Sequence, residues 1–377
     1  MKLNRRESFL LAFGLMAAPA PAAGRHDSLD ALAQRSGRRF GSTVGIGNGA
    51  FDDPRYRALL TGECGVLVPE NELKWGAIRR RPDSFDFAPF DRLMAFAGQN
   101  GLGMRGHTLL WHHPQWFPAW VETHDFGANP RTRAEAVIRD HVATVCRRYG
   151  PRIHSYDVVN EAVDAETGAM RETAFSRAVG SAEAVVDLAF HTAREAAPGA
   201  QLVYNDYMSW EPGNEAHRAG VLRLLEGFRR RGTPVDALGI QGHIGSGNNP
   251  GDQPTFGRHD EAAWRRFLDE VVGMGYGLAI TEFDVHDRGL AGDIPARDRA
   301  VADYARAYLD LMLSYPALGE ILVWGMSDRY SWLQERPARP DGLPKRPCPY
   351  DEAFRPKPLR QAIADALRDA GTVHRRA

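Results

Sequence analysis

Short apolar runs, rich in β-branched residues, alternate along the chain with longer segments in which apolar residues recur every three or four positions. The short runs predict strands of a parallel sheet, because such strands are covered on both faces. The predicted strands lie at 44–48, 65–69, 104–109, 153–160, 201–205, 237–242, 278–281 and 321–324.

The longer segments predict amphipathic helices between these strands. The clearest helices lie at 130–149, 182–197, 213–231, 260–273 and 295–315, and a last one lies at 357–368. One face of the helix at 295–315 is apolar and is expected to be buried. This face carries Tyr304, Ala305, Tyr308 and Leu311.

Eight strands that alternate with helical segments are typical of a single (β/α)8 barrel, a fold of the α/β class. A doubly wound open sheet also alternates, but it usually has fewer strands and a glycine-rich phosphate turn. The turn at 45–49 lacks the G-x-G-x-x-G pattern of such a turn. We therefore expect one barrel domain over 24–370, with a long loop at 245–257 and a flexible tail at 371–377.

Residues 1–23 have the pattern of a signal peptide. Lys2, Arg5 and Arg6 provide a positive start, an apolar core follows at 9–18, and small residues come after it. The core is too short to span a bilayer as a mature helix. The arginine pair fits either a twin-arginine signal or an ordinary secretory one. We expect export to the periplasm or to the outside of the cell.

Composition narrows the range of partners. The chain has 377 residues, of which 43% are hydrophobic and 25% charged, and its formal net charge is −1. No long basic run occurs, so neither nucleic acid nor a membrane surface is expected as a partner. The cysteines Cys64, Cys146 and Cys348 are widely spaced and form no metal motif. Three buried thiols are the plainer interpretation, and one disulfide stays open.

Polar and aromatic residues stand at the ends of the second to the eighth predicted strands. Because the carboxyl ends of barrel strands converge on one face, these side chains are expected to line one pocket. A single glutamate or tryptophan there is more often a rim or packing residue, but seven such strand ends together favour a functional site. The candidates are Glu70, Asn71, Lys74, His107, Trp111, Asn160, Glu161, Tyr207, Gln241, His243, Glu282, Asp284, Trp324 and Trp332.

Two of these candidates, Glu161 and Glu282, each end an apolar run on a different strand. Two carboxyl groups that face each other across a pocket are the catalytic groups of glycoside hydrolysis. In a retaining enzyme they lie about 5–5.5 Å apart, one ionised as nucleophile and the other protonated as acid. The pattern gives the pair without deciding which residue has which role. The surrounding amides, imidazoles and indoles suit sugar hydroxyls and sugar faces.

A metal-dependent hydrolase is the alternative from another class. The histidines that could ligate zinc are His107, His112, His113, His243 and His286. They stand on separate strands without an H-E-x-x-H motif, so we expect no metal and no other cofactor. A sugar-binding barrel without catalysis is a third alternative, and the presence of both glutamates disfavours it.

The motifs at the strand ends resemble those of glycoside hydrolase family 10, the endo-β-1,4-xylanases. The resemblance covers nearly the whole chain after the signal, from Phe40 to Pro358, and the order of the motifs is highly specific. The matching segments are PENELKW at 69–75, RGHTLLWH at 105–112, DVVNE at 157–161, YNDY at 204–207, GIQGH at 239–243, ITEFD at 280–284 and WGMSD at 324–328, with Ser331 and Trp332 after them.

The resemblance implies a retaining endo-β-1,4-xylanase with Glu161 as acid/base and Glu282 as nucleophile. His243, oriented by Asp284, would donate a hydrogen bond to Glu282 and favour its ionised form. Asn160 would hold the sugar 2-hydroxyl, a contact that strengthens in the transition state. The implied substrate is xylan or xylo-oligosaccharides, handled by a monomer, and other β-1,4-glycans stay open as an alternative.

The resemblance also assigns the substrate contacts. Trp324 and Trp332 would lie over the sugar at the cleavage point, and Tyr207 would lie towards the aglycone side. The glycone side would be lined by Glu70, Asn71, Lys74, His107, Trp111 and Gln241.

One segment departs from the family pattern. After Trp111 and His112 the family usually has a small polar residue and then glutamine, whereas here His113 and Pro114 intervene and Gln115 is displaced. We expect this change to affect contacts on the aglycone side and not the catalytic pair.

Overall fold

The structure is a computed structural model that describes residues 27–246 and 256–374. The predicted signal peptide at 1–23 lies outside the described residues, as do 375–377 and most of the loop predicted at 245–257. Within the described residues, no helix is long and apolar enough to cross a membrane.

The strands form a closed parallel barrel, which confirms the predicted fold. The strands are β1 (Arg39–Val44), β2 (Val66–Pro69), β3 (Gly103–Trp111), β4 (Ser155–Asn160), β5 (Gln201–Asp206), β6 (Ala237–Ile240), β7 (His243–Gly245), β8 (Gly277–His286) and β9 (Leu318–Val323). β1 pairs with both β2 and β9, and β6 pairs with β8, so the ring closes. β7 also pairs with β8 and continues the line of β6, so the described strands fill eight barrel positions.

Helices surround the barrel. They are α1 (Leu29–Gln34), α2 (Pro54–Glu63), α3 (Trp75–Ile78), α4 (Ala88–Gln99), α5 (Ala119–Thr123), α6 (Pro130–Tyr149), α7 (Ala174–Val179), α8 (Ala182–Ala196), α9 (Glu215–Arg231), α10 (Glu261–Gly273), α11 (Ile294–Leu313) and α12 (Pro358–His374). Short 3₁₀ turns lie at Ala50–Asp52, Pro114–Trp116, Gly150–Arg152, Asp328–Tyr330 and Trp332–Glu335.

Local sequence explains where several helices begin. The side chain of Asp293 accepts a hydrogen bond from the Ala296 amide at the start of α11, and proline follows at the first turn. Ser181 and Asp260 cap α8 and α10 in the same way. The predicted apolar face of α11 is buried, which confirms that interpretation.

The first strand was predicted in the wrong place. It occupies Arg39–Val44 and not 44–48. Gly41 is the register partner of Val66 on β2, and a Cβ at Gly41 would overlap the carbonyl oxygen of Val66. The prediction missed this strand because its residues Gly41, Ser42 and Thr43 are small or polar and form no apolar run.

The last helix is longer than predicted. It was expected to end at residue 368, whereas α12 continues to His374, so the tail expected from residue 371 is helical at its start. Gly371 is buried, and a side chain there would contact Arg35 at the end of α1. Packing of α12 on the end of α1 thus accompanies six helical residues that the sequence pattern did not indicate.

The interior of the barrel contains both apolar and charged residues. Val66, Val68, Leu322 and Trp324 form an apolar cluster inside the ring. The three cysteines are buried and free, as the plainer interpretation predicted.

Candidate active site

A cleft of about 1240 Å³ opens at the carboxyl ends of the strands. It exceeds the roughly 300–1,000 Å³ of a small-molecule pocket and can take several sugar units. Asp284 lies behind the wall, in contact with two of the lining residues. The other candidates all line the cleft: Glu70, Asn71, Lys74, His107, Trp111, Asn160, Glu161, Tyr207, Gln241, His243, Glu282, Trp324 and Trp332.

Glu161 follows β4 directly and adopts a positive φ of 53°. This left-handed conformation is unusual for a residue with a side chain, and it turns the chain at the strand end. Its carboxyl accepts hydrogen bonds from Trp111 Nε1 at 2.9 Å and Gln241 Nε2 at 2.8 Å. Desolvation raises the pKa of Glu161, and the charges of Asp206 and Glu282 raise it further, so the protonated form is favoured.

Glu282 lies in the carboxyl-terminal half of β8. Its Oε1 atom accepts a hydrogen bond from Asn205 Nδ2 at 2.8 Å, and its Oε2 atom lies 3.3 Å from His243 Nε2. Burial alone would raise the pKa of Glu282, but the hydrogen bond from His243 and the charges of His107 and His243 outweigh it. The pKa is lowered, and the ionised form is favoured.

His243 connects Glu282 to a second carboxylate. Its Nδ1 atom lies 2.9 Å from Asp284, which pairs with it in the register of β7 and β8. Burial would lower the pKa of His243, but the charge and hydrogen bond of Asp284, with those of Glu282, raise it to about 10. Trp332 Nε1 donates to the other oxygen of Asp284 at 2.8 Å. Asp284 therefore orients both an imidazolium and an indole of the cleft wall.

A buried ion pair between Arg105 and Asp157 lies next to His107. His107 Nδ1 lies 2.9 Å from Asp157, whose other contact is the Arg105 guanidinium at 2.6 Å. Burial would raise the pKa of Asp157, but Arg105 and His107 hold it below its usual value. The candidate list omitted Arg105 and Asp157, although both belong to the quoted motifs. Arg105 stands two residues before His107, and Asp157 stands three residues before Asn160.

Asn205 is a third residue that the candidate list omitted. Its Nδ2 atom is 2.8 Å from the side-chain amide of Asn160, as well as from Glu282. The two asparagines are register partners on β4 and β5. Their shared position at the ends of neighbouring strands was the signal that could have identified Asn205.

One half of the cleft is built by the segment after β2. Lys74 Nζ donates to Asn71 Oδ1 at 2.9 Å, and Glu70 accepts from Asn48 Nδ2 at 2.8 Å. Burial, with the charges of Glu72 and Glu335, raises the pKa of Glu70 to about 7. This half of the cleft therefore contains both hydrogen-bond donors and hydrogen-bond acceptors for sugar hydroxyls.

The opposite half contains Tyr207, whose hydroxyl accepts a hydrogen bond from Arg171 at 2.8 Å. Glu211 lines this half and accepts from the Gly245 amide at 2.8 Å and the Tyr304 hydroxyl at 3.0 Å. Lining residues that the sequence patterns did not single out are Arg80, Trp116, Ser209, Glu211, Arg258, Glu335 and Arg336.

Trp116 belongs to the segment that departs from the family pattern after Trp111. It stacks on Trp111, with ring centroids 4.9 Å apart, and its backbone lies near Gly76 of α3. Trp116 therefore lies on the Lys74 side of the cleft. Its position follows from packing against α3, which the sequence pattern did not reveal.

The histidines do not come together as a metal centre. His112 Nε2 lies 3.1 Å from the Arg171 carbonyl oxygen, and His286 Nδ1 lies 3.0 Å from that of Ser246. In the two described stretches of the chain, no three acidic, histidine or cysteine side chains are grouped to hold an ion.

Known proteins share this architecture. The crystal structure of native xylanase 10B from Thermotoga maritima matches with a TM-score of 0.79 at 29% identity, over 92% of this chain and 99% of that one. Xylanase 10B from Thermotoga petrophila, solved in complex with xylobiose, matches with a TM-score of 0.78 at 29% identity, over 91% and 98%.

Sequence comparison agrees with the structural match. Endo-1,4-beta-xylanase 5 of Pyricularia oryzae is 32% identical over 354 residues, which are 92% of this chain and 80% of the relative. Endo-1,4-beta-xylanase 3 of Hypocrea jecorina is 32% identical over 340 residues, 90% and 86% of the two chains. The family model described as glycosyl hydrolase family 10 matches residues 28–366. The chain therefore belongs to glycosyl hydrolase family 10 and is a glycoside hydrolase.

Proposed function

We propose that the protein is a retaining endo-β-1,4-xylanase in which Glu161 is the acid/base and Glu282 the nucleophile. The observation that carries the proposal is the opposite direction of the two pKa shifts in one cleft. The pKa of Glu161 is raised and that of Glu282 is lowered, which suits Glu161 to donate a proton and Glu282 to attack as a carboxylate.

In the first step, a Glu282 oxygen forms a bond to the anomeric carbon as the glycosidic bond breaks. Glu161 gives its proton to the departing oxygen, so the leaving chain departs as a neutral alcohol. Asn205 and His243 hold the attacking carboxylate in place. The first step leaves a glycosyl ester on Glu282 and an ionised Glu161.

In the second step, Glu161 takes a proton from a water molecule as the water oxygen attacks the anomeric carbon. The ester bond breaks, the electron pair returns to Glu282, and the sugar leaves with its β configuration retained. Asn160 holds the 2-hydroxyl of the reacting sugar. The product release restores both carboxyl groups to their starting states.

The substrate assignment rests on the relatives and on the cleft. The matched relatives are named endo-1,4-beta-xylanases, and one matched structure holds xylobiose. The cleft extends on both sides of the glutamate pair, from Lys74 to Tyr207, as internal cleavage of a chain requires. We further propose that the protein acts as a monomer, without a metal, after export and removal of 1–23.

The first test is proton NMR of a xylohexaose digest with a chelator present. Early appearance of the β anomer at the new reducing end is the expected result, and it would support retention and metal independence together. Early α anomer would mean inversion, which requires a wider separation of the carboxyl groups. No cleavage, or cleavage that the chelator abolishes, would overturn the proposal.

Substitution of each glutamate distinguishes the acid/base from the nucleophile. Glu282→Ala and Glu161→Ala are each expected to remove nearly all xylan hydrolysis while the far-UV circular dichroism stays unchanged. On an aryl β-xylobioside with a good leaving group, Glu161→Ala is expected to retain more activity, because that bond needs less protonation. Equal losses on good and poor leaving groups would contradict Glu161 as the acid.

A further inference from the structure

Trp116 is an exposed aromatic residue in the cleft. Of the large apolar side chains in the described residues, only Trp116, Ile294 and Leu343 are exposed, and Trp116 is 41% exposed. Trp116 is the one of these three that lines the cleft. In a cleft lined by hydrogen-bonding side chains, an exposed indole is a surface on which a sugar face can pack.

The backbone holds Trp116 in a defined position. Trp116 is the last residue of the 3₁₀ turn Pro114–Trp116. The turn is capped by His113, whose Nδ1 atom accepts a hydrogen bond from the Gln115 amide at 3.2 Å. Its indole packs on Trp111 with an interplanar angle of 21°. A side chain fixed in this way loses little conformational entropy when a ligand binds to it.

Trp111 itself has its contacts already. Its Nε1 atom donates to Glu161, its ring lies against Trp116, and Lys74 Nζ lies 4.7 Å from its ring centroid. One face of Trp116 covers Trp111, so the exposed area of Trp116 belongs to the opposite face and the ring edge. The open stacking surface at this end of the cleft is therefore that of Trp116.

The cleft continues past Trp116 along α3, where Gly76, Ala77 and Arg80 line it. Because α3 directly follows Lys74 in the chain, a sugar at this place would be a neighbour of the sugar held by Asn71 and Lys74. Both faces of a xylopyranose carry axial C–H groups and no hydroxymethyl group, so either face can pack on an indole.

We propose that Trp116 is the platform of a distal binding subsite, which takes a xylose unit on the glycone side beyond the units held by Asn71 and Lys74. The proposal rests on the proposed function, because it assigns the Lys74 half of the cleft to the glycone chain. It belongs to this chain in particular, since Trp116 lies in the segment that departs from the family pattern.

A purely structural role makes a different prediction. If Trp116 only supported Trp111, it would act through the hydrogen bond from Trp111 to Glu161. Its removal would then affect every substrate equally and would change the pKa of Glu161. A distal platform affects long substrates selectively and leaves the pH dependence as it is.

The test compares xylohexaose with an aryl β-xylobioside, which does not reach Trp116. Trp116→Ala is expected to lower kcat/KM about tenfold more for xylohexaose than for the aryl substrate, with the basic limb of the pH profile unmoved. Trp116→Phe, which keeps an aromatic face, is expected to restore most of the loss. Leu343→Ala, which removes an exposed apolar side chain outside the cleft, is the matched control.

Equal losses on both substrates, or a displaced basic limb, would overturn the distal subsite. The same holds if Trp116→Ala leaves the ratio of the two kcat/KM values unchanged. Failure of the wild-type protein to cleave either substrate would count against the proposed function instead. Titration of xylohexaose and xylobiose into the Glu282→Gln variant then decides about the subsite, because Trp116→Ala in that background should weaken only the longer ligand.

Discussion

At the scale of single residues, the pKa values of two identical side chains shift in opposite directions because their neighbours differ. For Glu161, burial and the nearby charge of Asp206 outweigh the hydrogen bonds from the neutral donors Trp111 and Gln241. Glu282 lies beside His243, whose pKa is raised to about 10 and which carries a positive charge at neutral pH. The hydrogen bond from His243, with the charges of His243 and His107, outweighs burial and lowers the pKa of Glu282.

Asp284→Asn tests the source of the low pKa of Glu282. Loss of the Asp284 charge should lower the pKa of His243, and the weaker positive charge should raise the pKa of Glu282. Since Glu282 must be ionised to attack, the acidic limb of the kcat/KM profile on an aryl β-xylobioside is expected to move to higher pH. Asp303→Asn, at an exposed position of α11, is the control. An unmoved acidic limb would contradict this account.

Trp111→Phe tests the hydrogen bonds of Glu161. The indole donates to the ionised carboxylate and lowers its pKa, so removal of the donor should raise the pKa of Glu161. Because Glu161 must be protonated to act as the acid, the basic limb of the profile is expected to move to higher pH. A shift to lower pH would mean that the hydrogen bond does not stabilise the ionised form.

At the scale of elements, a buried ion pair ties the end of the chain to its beginning. Arg360 of α12 donates to Glu63 at the end of α2 at 2.9 Å, and Glu63 also accepts from the Leu29 amide of α1 at 2.8 Å. The sequence predicted the helical segment at 357–368, but no local pattern connected Arg360 to Glu63, which is 297 residues away.

Arg360→Ala is expected to lower the free energy of unfolding by about 3–5 kcal/mol, because it leaves the Glu63 carboxylate buried without its cationic partner. Urea denaturation followed by circular dichroism measures the change. Arg131→Ala removes an exposed pair with Glu135 on α6 and should cost less than about 0.5 kcal/mol. Similar losses for the two variants would refute the role of the buried pair.

Sequence patterns predicted most elements well, and the failures have a physical cause. The helix predicted at 130–149 agrees with α6 at both ends, since proline starts it and Gly150 ends it. The first strand was misplaced because Gly41, which meets a neighbouring strand, and the polar residues after it form no apolar run, and α12 was cut short because its last turn packs on α1. Local sequence patterns predict the ends of an element well when residues at those ends determine them. They fail where the end depends on packing against another element.

At the scale of the whole molecule, the barrel fold buries several carboxyl groups around one cleft. Burial raises the pKa of Glu211 to about 7. In the unfolded chain a glutamate has a pKa of about 4.3, so between these values the unfolded state gives up the proton more readily. The folded state is then disfavoured as pH rises, so this group contributes a loss of stability between about pH 4 and pH 7.

Glu211→Gln is expected to remove that loss. The difference in melting temperature between the variant and the wild type is measured at pH 5 and at pH 8. The difference should be a few degrees larger, in favour of the variant, at pH 8. Thermal unfolding at the two pH values measures the difference. For Glu215→Gln, at an exposed position of α9, the change in melting temperature between pH 5 and pH 8 should equal that of the wild type. A Glu211 variant that behaves like this control would contradict the raised pKa.

The sequence by itself determined the barrel and which strand ends face the cleft. Apolar periodicity gave the order of strands and helices, and the closed parallel topology brings all strand ends to one face whatever the details of packing. Only the tertiary structure decided what surrounds each carboxyl group, because those neighbours lie on other strands. His107 and Asp157 are 50 residues apart, and Trp116 reaches the cleft only through its packing on Trp111 and α3.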